Sequence, residues 1–185
     1  MNIDKYIFKG YPKQNVPEKR FLIRFENLDI LKRLSGYEVA EMVDCQVSDE
    51  VRTRKISIKG KEHYFRTKEE LEEPISKEAF EESCENMHHL YRLVYRTRYA
   101  FSDGILSAAI LAGIPVTSED ARGIFMMLDT FDLWKDFGIL TVKGAKVSEL
   151  NNFDLPEIEI LKEITDDKTY CTKSMATIDY TSFLE

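Results

Sequence analysis

The sequence predicts an α+β fold in which antiparallel strands dominate and form a closed or nearly closed barrel with a few flanking helices. Short segments alternate apolar and charged side chains with a period of two residues, whereas helical spacing is rare. The predicted strands also follow one another without the long crossovers that parallel pairing requires. The chain has 185 residues, of which 43% are hydrophobic and 32% charged. This composition suits one globular domain spanning residues 1–185.

The first predicted strand is EKRFLIRF at 18–25, where Phe21, Ile23 and Phe25 share one face and the charged residues Glu18, Arg20 and Arg24 share the other. A helix is predicted at 26–36, because its apolar residues recur at helical spacing between an asparagine N-cap and a glycine stop. The chain therefore opens with a half-buried strand and a short helix.

A hairpin is predicted at 51–72, with its turn around Gly60 in the sequence KGKE. The helix predicted next covers 75–91, where Ser76 is the candidate N-cap and Phe80 belongs to the buried side. A hairpin and a capped helix thus occupy the middle of the chain.

Three further strands are predicted at 93–101, 124–131 and 138–144. In the first of them we expect the aromatic side chains to pack in the core and the two arginines of YRTRY to occupy the opposite face. The last predicted element is a helix within 162–176 that is capped by Thr165 and has acids in its first turn.

The charge and the apolar segments limit the functional classes. The formal net charge is −7, so the surface as a whole should not bind duplex DNA, and any polyanion site must be a local concentration of positive charge. Three separated cysteines argue against a disulfide framework. The N-terminus has no signal-peptide core, and the longest apolar stretch, 104–116, is too short to span a bilayer. We therefore expect a cytoplasmic protein without membrane contact.

Charged side chains recur on the strand faces opposite the apolar ones. The pattern R-x-R occurs in VRTR at 51–54 and in YRTR at 95–98, and the planar guanidinium suits the recognition of phosphate oxygens. A solvated face is the alternative explanation for any single strand. Across five strands, the pattern favours a lumen that holds a phosphate chain. The residues concerned are basic Arg20, Arg24, Arg52, Arg54, Arg66, Lys68, Arg96, Arg98 and Lys143, and acidic Glu18, Glu70, Glu72 and Asp129.

The stretch RTKEELEE at 66–73 is the densest case, because charged residues occupy every second position. If one strand ran through it, Arg66, Lys68, Glu70 and Glu72 would share one face. We expect that face to line the lumen.

Other polar residues carry weaker signals. His63, His88 and His89 have no nucleophile at a readable spacing, so packing or surface roles explain them. Glu157 and Glu159 alternate like a carboxylate pair, but a solvated strand explains them as well. The chain has neither the GxxxxGK[ST] phosphate loop nor the GxGxxG dinucleotide fingerprint.

The order of these motifs resembles the CYTH superfamily, whose members are also called triphosphate tunnel metalloenzymes. The resemblance runs from about Glu18 to Ala176, nearly the whole chain. The segments that carry it are EKRFL, VRTR, HYFRTK, EELEEPISKEAFEE, YRTRY, MLDTF and KEITDDKTYCTKSMA.

This resemblance implies an antiparallel eight-stranded barrel, with a core of about 16–176, whose charged lumen binds triphosphates. Catalysis in such a site needs Mg²⁺ or Mn²⁺, which carboxylate oxygens hold beside the phosphates. The resemblance assigns phosphate or nucleotide binding to Arg20, Arg52, Arg54, Arg66, Lys68, Arg96, Arg98 and Lys143, and metal binding to Glu18, Glu70, Glu72 and Asp129.

The chain departs from the family pattern at three carboxylate positions, which hold Val16, Thr141 and Lys143. The Lys143 ammonium could stand where a metal would and pair directly with phosphate. The basic residues are retained and the metal site is depleted, so we expect ligand binding with weak or no catalysis and assign no catalytic residue. An additional segment at 102–122 has an apolar core, 104–116, through which the chain could form an oligomer.

Three functional classes remain open. The first is a protein that binds a nucleotide, a triphosphate or another phosphorylated small molecule. The second is an enzyme, either a metal-dependent triphosphatase for inorganic, thiamine or nucleoside triphosphates or a class IV-type adenylate cyclase. The third is an RNA-end or protein-interaction module. The aromatic residues beside the basic strands share the apolar parity, which favours packing over base stacking and weakens the RNA hypothesis.

Overall fold

The computed structural model describes residues 7–8, 11–12, 15–26, 37–69, 71–101, 124–144, 147 and 158–179. In this part of the chain, strands are far more numerous than helices. The strands are β1 (Glu18–Phe25), β2 (Tyr37–Gln46), β3 (Val51–Ile58), β4 (Lys61–Lys68), β5 (Leu71–Pro74), β6 (Val94–Phe101), β7 (Phe125–Phe131), β8 (Phe137–Lys143) and β9 (Ile158–Glu163). The helices are α1 (Lys77–Glu85) and α2 (Thr172–Ala176), with a 3-10 turn at Lys168–Tyr170 before α2.

The strands belong to one sheet with the order β5-β4-β3-β2-β6-β7-β8-β1-β9. The pairings β1–β8, β1–β9, β2–β3, β3–β4, β4–β5 and β7–β8 are all antiparallel. The predicted class, an antiparallel strand-rich α+β fold, is therefore confirmed. The sheet has nine strands among the described residues instead of the eight expected.

The residues divide into two compact units, each built from separate stretches of the chain. Unit 1 takes its described residues from Ala40–Thr97 and 166–179, and unit 2 takes them from within 4–39 and Arg98–Thr165. Whether the chain behaves as one domain stays a prediction.

Unit 2 has an apolar core on one face of β1, β7 and β8. Phe21, Ile23 and Phe25 belong to it, as predicted from their alternation in β1. Leu128 and Leu140 face each other across β7 and β8 in the same cluster. The charged residues of these strands consequently lie on the other face or at the strand ends.

Unit 1 packs α1 against one face of its strands. Ser76 caps the helix as predicted, because its hydroxyl accepts a hydrogen bond from the Ala79 N–H at 3.1 Å. The Phe80 ring lies 5.6 Å from that of Tyr64 on β4, and the Cys45 thiol on β2 contacts the Ser83 carbonyl oxygen at 3.5 Å. The other face of β2, β3 and β4 is therefore left for a different set of side chains.

Four predicted elements need correction or fall outside the structure. The predicted helix 75–91 ends at Glu85. The C-terminal helix does not begin at Thr165, whose hydroxyl oxygen instead accepts a hydrogen bond from the backbone N–H of Arg20 at 3.1 Å; Asp167 and Cys171 are the caps there. The predicted helix 26–36 lies almost entirely outside the described residues, and so does the segment 102–122.

No helix in the described ranges is long and apolar enough to cross a membrane.

Candidate functional site

The strand register brings the polar residues of unit 1 together on the face opposite α1. Asp44 on β2 is opposite Arg54 on β3, and Gln46 is opposite Arg52. Side chains on opposed residues point to the same face of a sheet, so these four lie side by side. Further along the sheet, Thr67 on β4 is opposite Arg52 and Glu72 on β5 is opposite Thr67. Arg96 joins them from β6, and we call Arg52, Arg54, Arg96, Asp44 and Glu72 the arginine cluster.

Asp44 is fully buried at the centre of the arginine cluster. Arg54 donates from Nε to Asp44 Oδ1 at 2.6 Å, Arg96 Nη2 lies 3.3 Å from Oδ2, and Arg52 Nε lies 3.7 Å from Oδ1. Burial alone would raise the pKa of Asp44, but the charges of Arg54, Arg96 and Arg52 hold it well below its ordinary value of 3.8. Asp44 is therefore a carboxylate at neutral pH.

Glu72 supplies the second negative charge of the arginine cluster, at a greater distance. Its Oε1 lies 4.0 Å from Arg52 Nη2 and 4.0 Å from Arg54 Nη1. The Thr67 hydroxyl lies between, 3.4 Å from Arg52 Nη2 and 3.5 Å from Glu72 Oε1. Three guanidiniums thus face two carboxylates, which leaves a local surplus of one positive charge.

The surplus of positive charge lowers the pKa of Arg52. The neighbouring charge of Arg54 and then burial lower the pKa of Arg52 to about 10, despite the attraction of Asp44. The Arg52 side chain is 24% exposed and that of Arg54 8%, so Arg52 is the more accessible of the two. Its buried Nε has no hydrogen-bond acceptor among the described residues. An anion could therefore bind Arg52 and relieve the repulsion at the same time.

In unit 2, Arg98 and Asp129 form a buried two-point pair. Arg98 Nε and Nη2 each lie 2.6 Å from an oxygen of Asp129. Both oxygens of this predicted metal ligand therefore face a guanidinium, and Arg98 itself has a resident anion.

Lys143 and Glu18 are opposed across β8 and β1 and form an ion pair. Burial would lower the pKa of Lys143, but the hydrogen bond and charge of Glu18 outweigh burial and raise it. The ammonium also lies 5.5 Å from the centre of the Tyr11 ring. Arg20, another predicted phosphate ligand, is partly buried and lies two residues from Glu18 on β1. Lys143 thus neutralises the carboxylate that was expected to bind metal.

The structure does not place Arg66, Lys68 and Glu72 on one face, so that prediction is wrong. Arg66 is opposite Glu73 and donates to its carboxylate from Nε at 2.8 Å, on the α1 side of the sheet. Lys68 has the same parity as Arg66 and is exposed, while Glu72 contacts Arg52 and Arg54 on the other side. The chain reverses after β4 at Glu69, whose φ is +48°, and β5 restarts the alternation. Glu70 lies outside the described residues.

The described carboxylates do not assemble a magnesium or manganese site. No group of three His, Cys, Asp or Glu residues suited to holding a metal occurs in the described ranges. Glu18 pairs with Lys143, Asp129 with Arg98, and Glu72 faces two arginines. Hard cations need several oxygen ligands that are not already neutralised, so these residues as arranged do not fit one.

Sequence reasoning missed Asp44 and Gln46, because β2 was not predicted. Its buried parity reads Ala40, Met42, Asp44 and Gln46, while Val39 and Glu41 are exposed. An acid that continues an apolar alternation, just before an R-x-R strand, was the available signal.

Comparisons with known proteins support the fold. The structure is similar to the crystal structure of the inorganic triphosphatase NE1496, with a TM-score of 0.54, 18% identity, and coverage of 88% of this chain and 95% of that one. A second crystal structure under the name hypothetical protein NE1496 aligns with a TM-score of 0.54, 17% identity, and coverage of 88% and 97%. No protein-family model matches the chain, and no curated protein sequence matches it significantly. At this identity the likeness establishes the fold alone.

Proposed function

We propose that the chain is a divergent member of the CYTH superfamily that binds a nucleotide, a triphosphate or another phosphorylated small molecule, with weak or no catalysis. The observation that carries this proposal is the arginine cluster, in which three guanidiniums surround one buried carboxylate. The fold adds support by analogy, because a protein that shares it is named an inorganic triphosphatase and its substrate is a chain of phosphates.

The roles within the arginine cluster follow from exposure and contacts. Arg52, the more accessible guanidinium, makes charge-assisted hydrogen bonds to a phosphate oxygen. Arg54 and Arg96, which are buried beside Asp44, supply positive potential in a low-dielectric setting. In unit 2, Arg20, Arg98 and Lys143 remain predicted phosphate ligands, although Arg98 and Lys143 already pair with carboxylates.

The test is calorimetric titration with ATP, GTP and tripolyphosphate, with and without Mg²⁺, followed by a phosphate-release assay on the same samples. We expect binding with little release. Arg52→Ala should weaken the affinity by about 1–3 kcal/mol, the typical contribution of hydrogen bonds to charged groups.

Arg66→Ala is the matched control, because Arg66 lies on the opposite face of the neighbouring strand and pairs with Glu73. It should leave the affinity within twofold of the wild type. Equal affinities of the wild type and Arg52→Ala would overturn the assignment of the ligand to the arginine cluster.

A metal-dependent triphosphatase is the second candidate, favoured by the fold of inorganic triphosphatase NE1496. Its carboxylates would have to come from outside the groups described above, with Glu70 and Glu157 among the residues the structure does not describe. Glu159, the partner of Glu157 in the sequence motif, is exposed and pairs with Arg24. Steady phosphate release that requires Mg²⁺ would favour this candidate over simple binding.

A further inference from the structure

The arginine cluster already contains an anion of its own. Asp44 is fully buried, and its two oxygens face Arg52 and Arg54 on one side and Arg96 on the other. A phosphate ligand that entered the cluster would therefore share the same three guanidiniums with Asp44. This sharing has consequences for the ligand-free protein and for affinity.

Without Asp44, the cluster would consist of the buried guanidiniums of Arg54 and Arg96, the partly exposed guanidinium of Arg52, and the more distant Glu72. Like charges that are withdrawn from water repel strongly, and an uncompensated buried charge is among the costliest features of a fold. A site that binds and releases a polyanion has to remain folded when the polyanion is absent and the arginines repel one another. The geometry offers Asp44 as a group that can stabilise it, because Arg54 Nε donates to Asp44 Oδ1 at 2.6 Å and Arg96 Nη2 lies 3.3 Å from Oδ2.

We propose that Asp44 is a resident counter-ion of the arginine cluster: it stabilises unit 1 when no phosphate is bound, and by competing for the same guanidiniums it lowers the affinity for phosphate. This inference rests on the proposed function for its ligand. It makes Asp44 an affinity-setting residue that acts through Arg52, Arg54 and Arg96 and does not itself contact the ligand.

Asp44→Asn is the direct test, because the amide has the size of the carboxylate and lacks its charge. In thermal unfolding without ligand, we expect the Tm of this variant to fall by about 10 °C, as removal of one partner from a buried ion pair does in a chain of this size. In calorimetry with tripolyphosphate, we expect it to bind about tenfold more tightly than the wild type, since one competing charge is gone.

Ile56→Ala is the matched control. Ile56 is fully buried on the same face of β3, opposite Met42, and carries no charge. It should lower the Tm by cavity formation and leave the tripolyphosphate affinity unchanged. If Asp44→Asn binds tripolyphosphate as the wild type does, or more weakly, the counter-ion proposal is wrong and Asp44 merely holds the arginines in place.

The double variant Asp44→Asn/Arg54→Met covers the case in which the single variant fails to fold. It removes both partners of the 2.6 Å contact and restores the original surplus of charge. We expect its Tm to recover to within a few degrees of the wild type; a Tm as low as that of a marginally folded single variant would overturn the proposal. Recovery of an unfolded Asp44→Asn variant by added tripolyphosphate would support it.

The stability measurements need no ligand, so they separate this inference from the proposed function. If the wild type binds no polyphosphate, the proposed function fails, while the loss of Tm in Asp44→Asn and its recovery in the double variant still establish a counter-ion. If polyphosphate binds and neither the Tm nor the affinity responds to Asp44→Asn, only the counter-ion proposal fails.

Discussion

Individual charged residues in this protein differ in how completely they are paired. Arg98 has two short contacts to Asp129 and is buried with it. Arg52 has one distant carboxylate on either side and a buried Nε without an acceptor in the described part of the chain. The first arrangement is complete by itself, whereas the second leaves capacity for an external anion.

The complete pairing of Arg98 predicts how the stability of the protein responds when Arg98 is removed. Arg98→Met should lower the free energy of unfolding by about 3–5 kcal/mol, because Asp129 would remain buried and would lose both hydrogen bonds from Arg98. Arg98→Met/Asp129→Leu should recover most of that loss, since both charges leave together. Urea denaturation of the wild type and both variants measures the cycle. Equal loss in the single and double variants would show that the pair stabilises through packing and not through charge.

The low pKa of Asp44 predicts the pH range in which its contribution to folding stability changes. Its pKa is ordinarily 3.8 and is lowered in the folded state, so the unfolded chain takes up the proton first as pH falls. The stabilisation is therefore complete above about pH 4 and declines as pH falls through the folded pKa. The Tm difference between the wild type and Asp44→Asn should be constant from pH 5 to 7 and shrink below pH 4. A difference that shrinks between pH 7 and 5 would identify another titrating group.

The Lys143–Glu18 pair predicts the effect of restoring a carboxylate at position 143. Lys143→Glu would place two carboxylates opposite each other on β8 and β1, an arrangement that attracts a hard divalent cation. We expect tripolyphosphate binding or turnover to become more dependent on Mg²⁺, measured by titration and by phosphate release. Lys143→Met is the control, because it removes the ammonium without adding an acid. Identical Mg²⁺ responses in the two variants would contradict the prediction.

At this scale the sequence predicted the R-x-R residues better than their partners. Arg96 and Arg98 are buried; of the aromatic residues of β6, Phe101 and Tyr99 pack in the apolar core as expected, whereas Tyr95 is exposed. Alternation identifies which residues share a face, but it cannot say which face is buried when both contain large side chains. The partner carboxylate Asp44 lies on a different strand, and its pairing depends on register.

Among the secondary-structure elements, the β3–β4 hairpin was the most predictable. Lys59 and Gly60 have φ of +50° and +75°, the conformation of a two-residue turn that suits the twist of antiparallel strands. The glycine in KGKE was sufficient to locate it.

Replacing either of two glycines by alanine should lower the stability, for a different physical reason in each case. Gly60→Ala should cost about 1 kcal/mol, because its positive φ disfavours a side chain although a Cβ would meet nothing within 4 Å. Gly138→Ala on β8 should cost more, since its Cβ would lie 2.7 Å from the Asp129 carbonyl oxygen on β7. Denaturant unfolding measures both. Replacement of Gly60 by Asn, which tolerates positive φ, should recover most of the first loss.

The β4–β5 junction shows what element-level prediction could not reach. RTKEELEE alternates without interruption in the sequence, yet the chain reverses at Glu69 with φ of +48°. Glutamate has no intrinsic preference for that conformation, so no local signal marks the turn. The prediction therefore placed Arg66 and Lys68 on the wrong face of the sheet. Glu72, on β5, does contact Arg52 and Arg54.

For the molecule as a whole, local and total charge have opposite signs. The chain carries a formal net charge of −7, while the arginine cluster has a surplus of one positive charge among its five members. Long-range steering of large polyanions is weak under these conditions, and short-range contacts must select the ligand. A small phosphorylated molecule therefore remains the expected partner, and the absence of duplex DNA binding remains a prediction.

The strand-rich fold was predictable because period-two alternation recurs along the chain, and the same fold occurs in inorganic triphosphatase NE1496 at 18% identity. The count of strands was not predictable. β5 has four residues and β9 is mostly exposed, so neither alternates distinctly, and the buried face of β2 changes from apolar to polar at Asp44 and Gln46. Such strands are defined by the neighbours with which they pair.

The charge pairs described above also differ in sequence separation, and this bears on the order of folding. Asp44 and Arg54 are 10 residues apart, Arg98 and Asp129 31, and Glu18 and Lys143 125. Contacts between residues close in the chain cost less loop-closure entropy and tend to form earlier. The arginine cluster therefore belongs largely to a hairpin that can nucleate locally, whereas the Lys143–Glu18 pair must await closure of the longest of these three loops. A nascent chain would thus acquire most of the arginine cluster well before β1 meets β8.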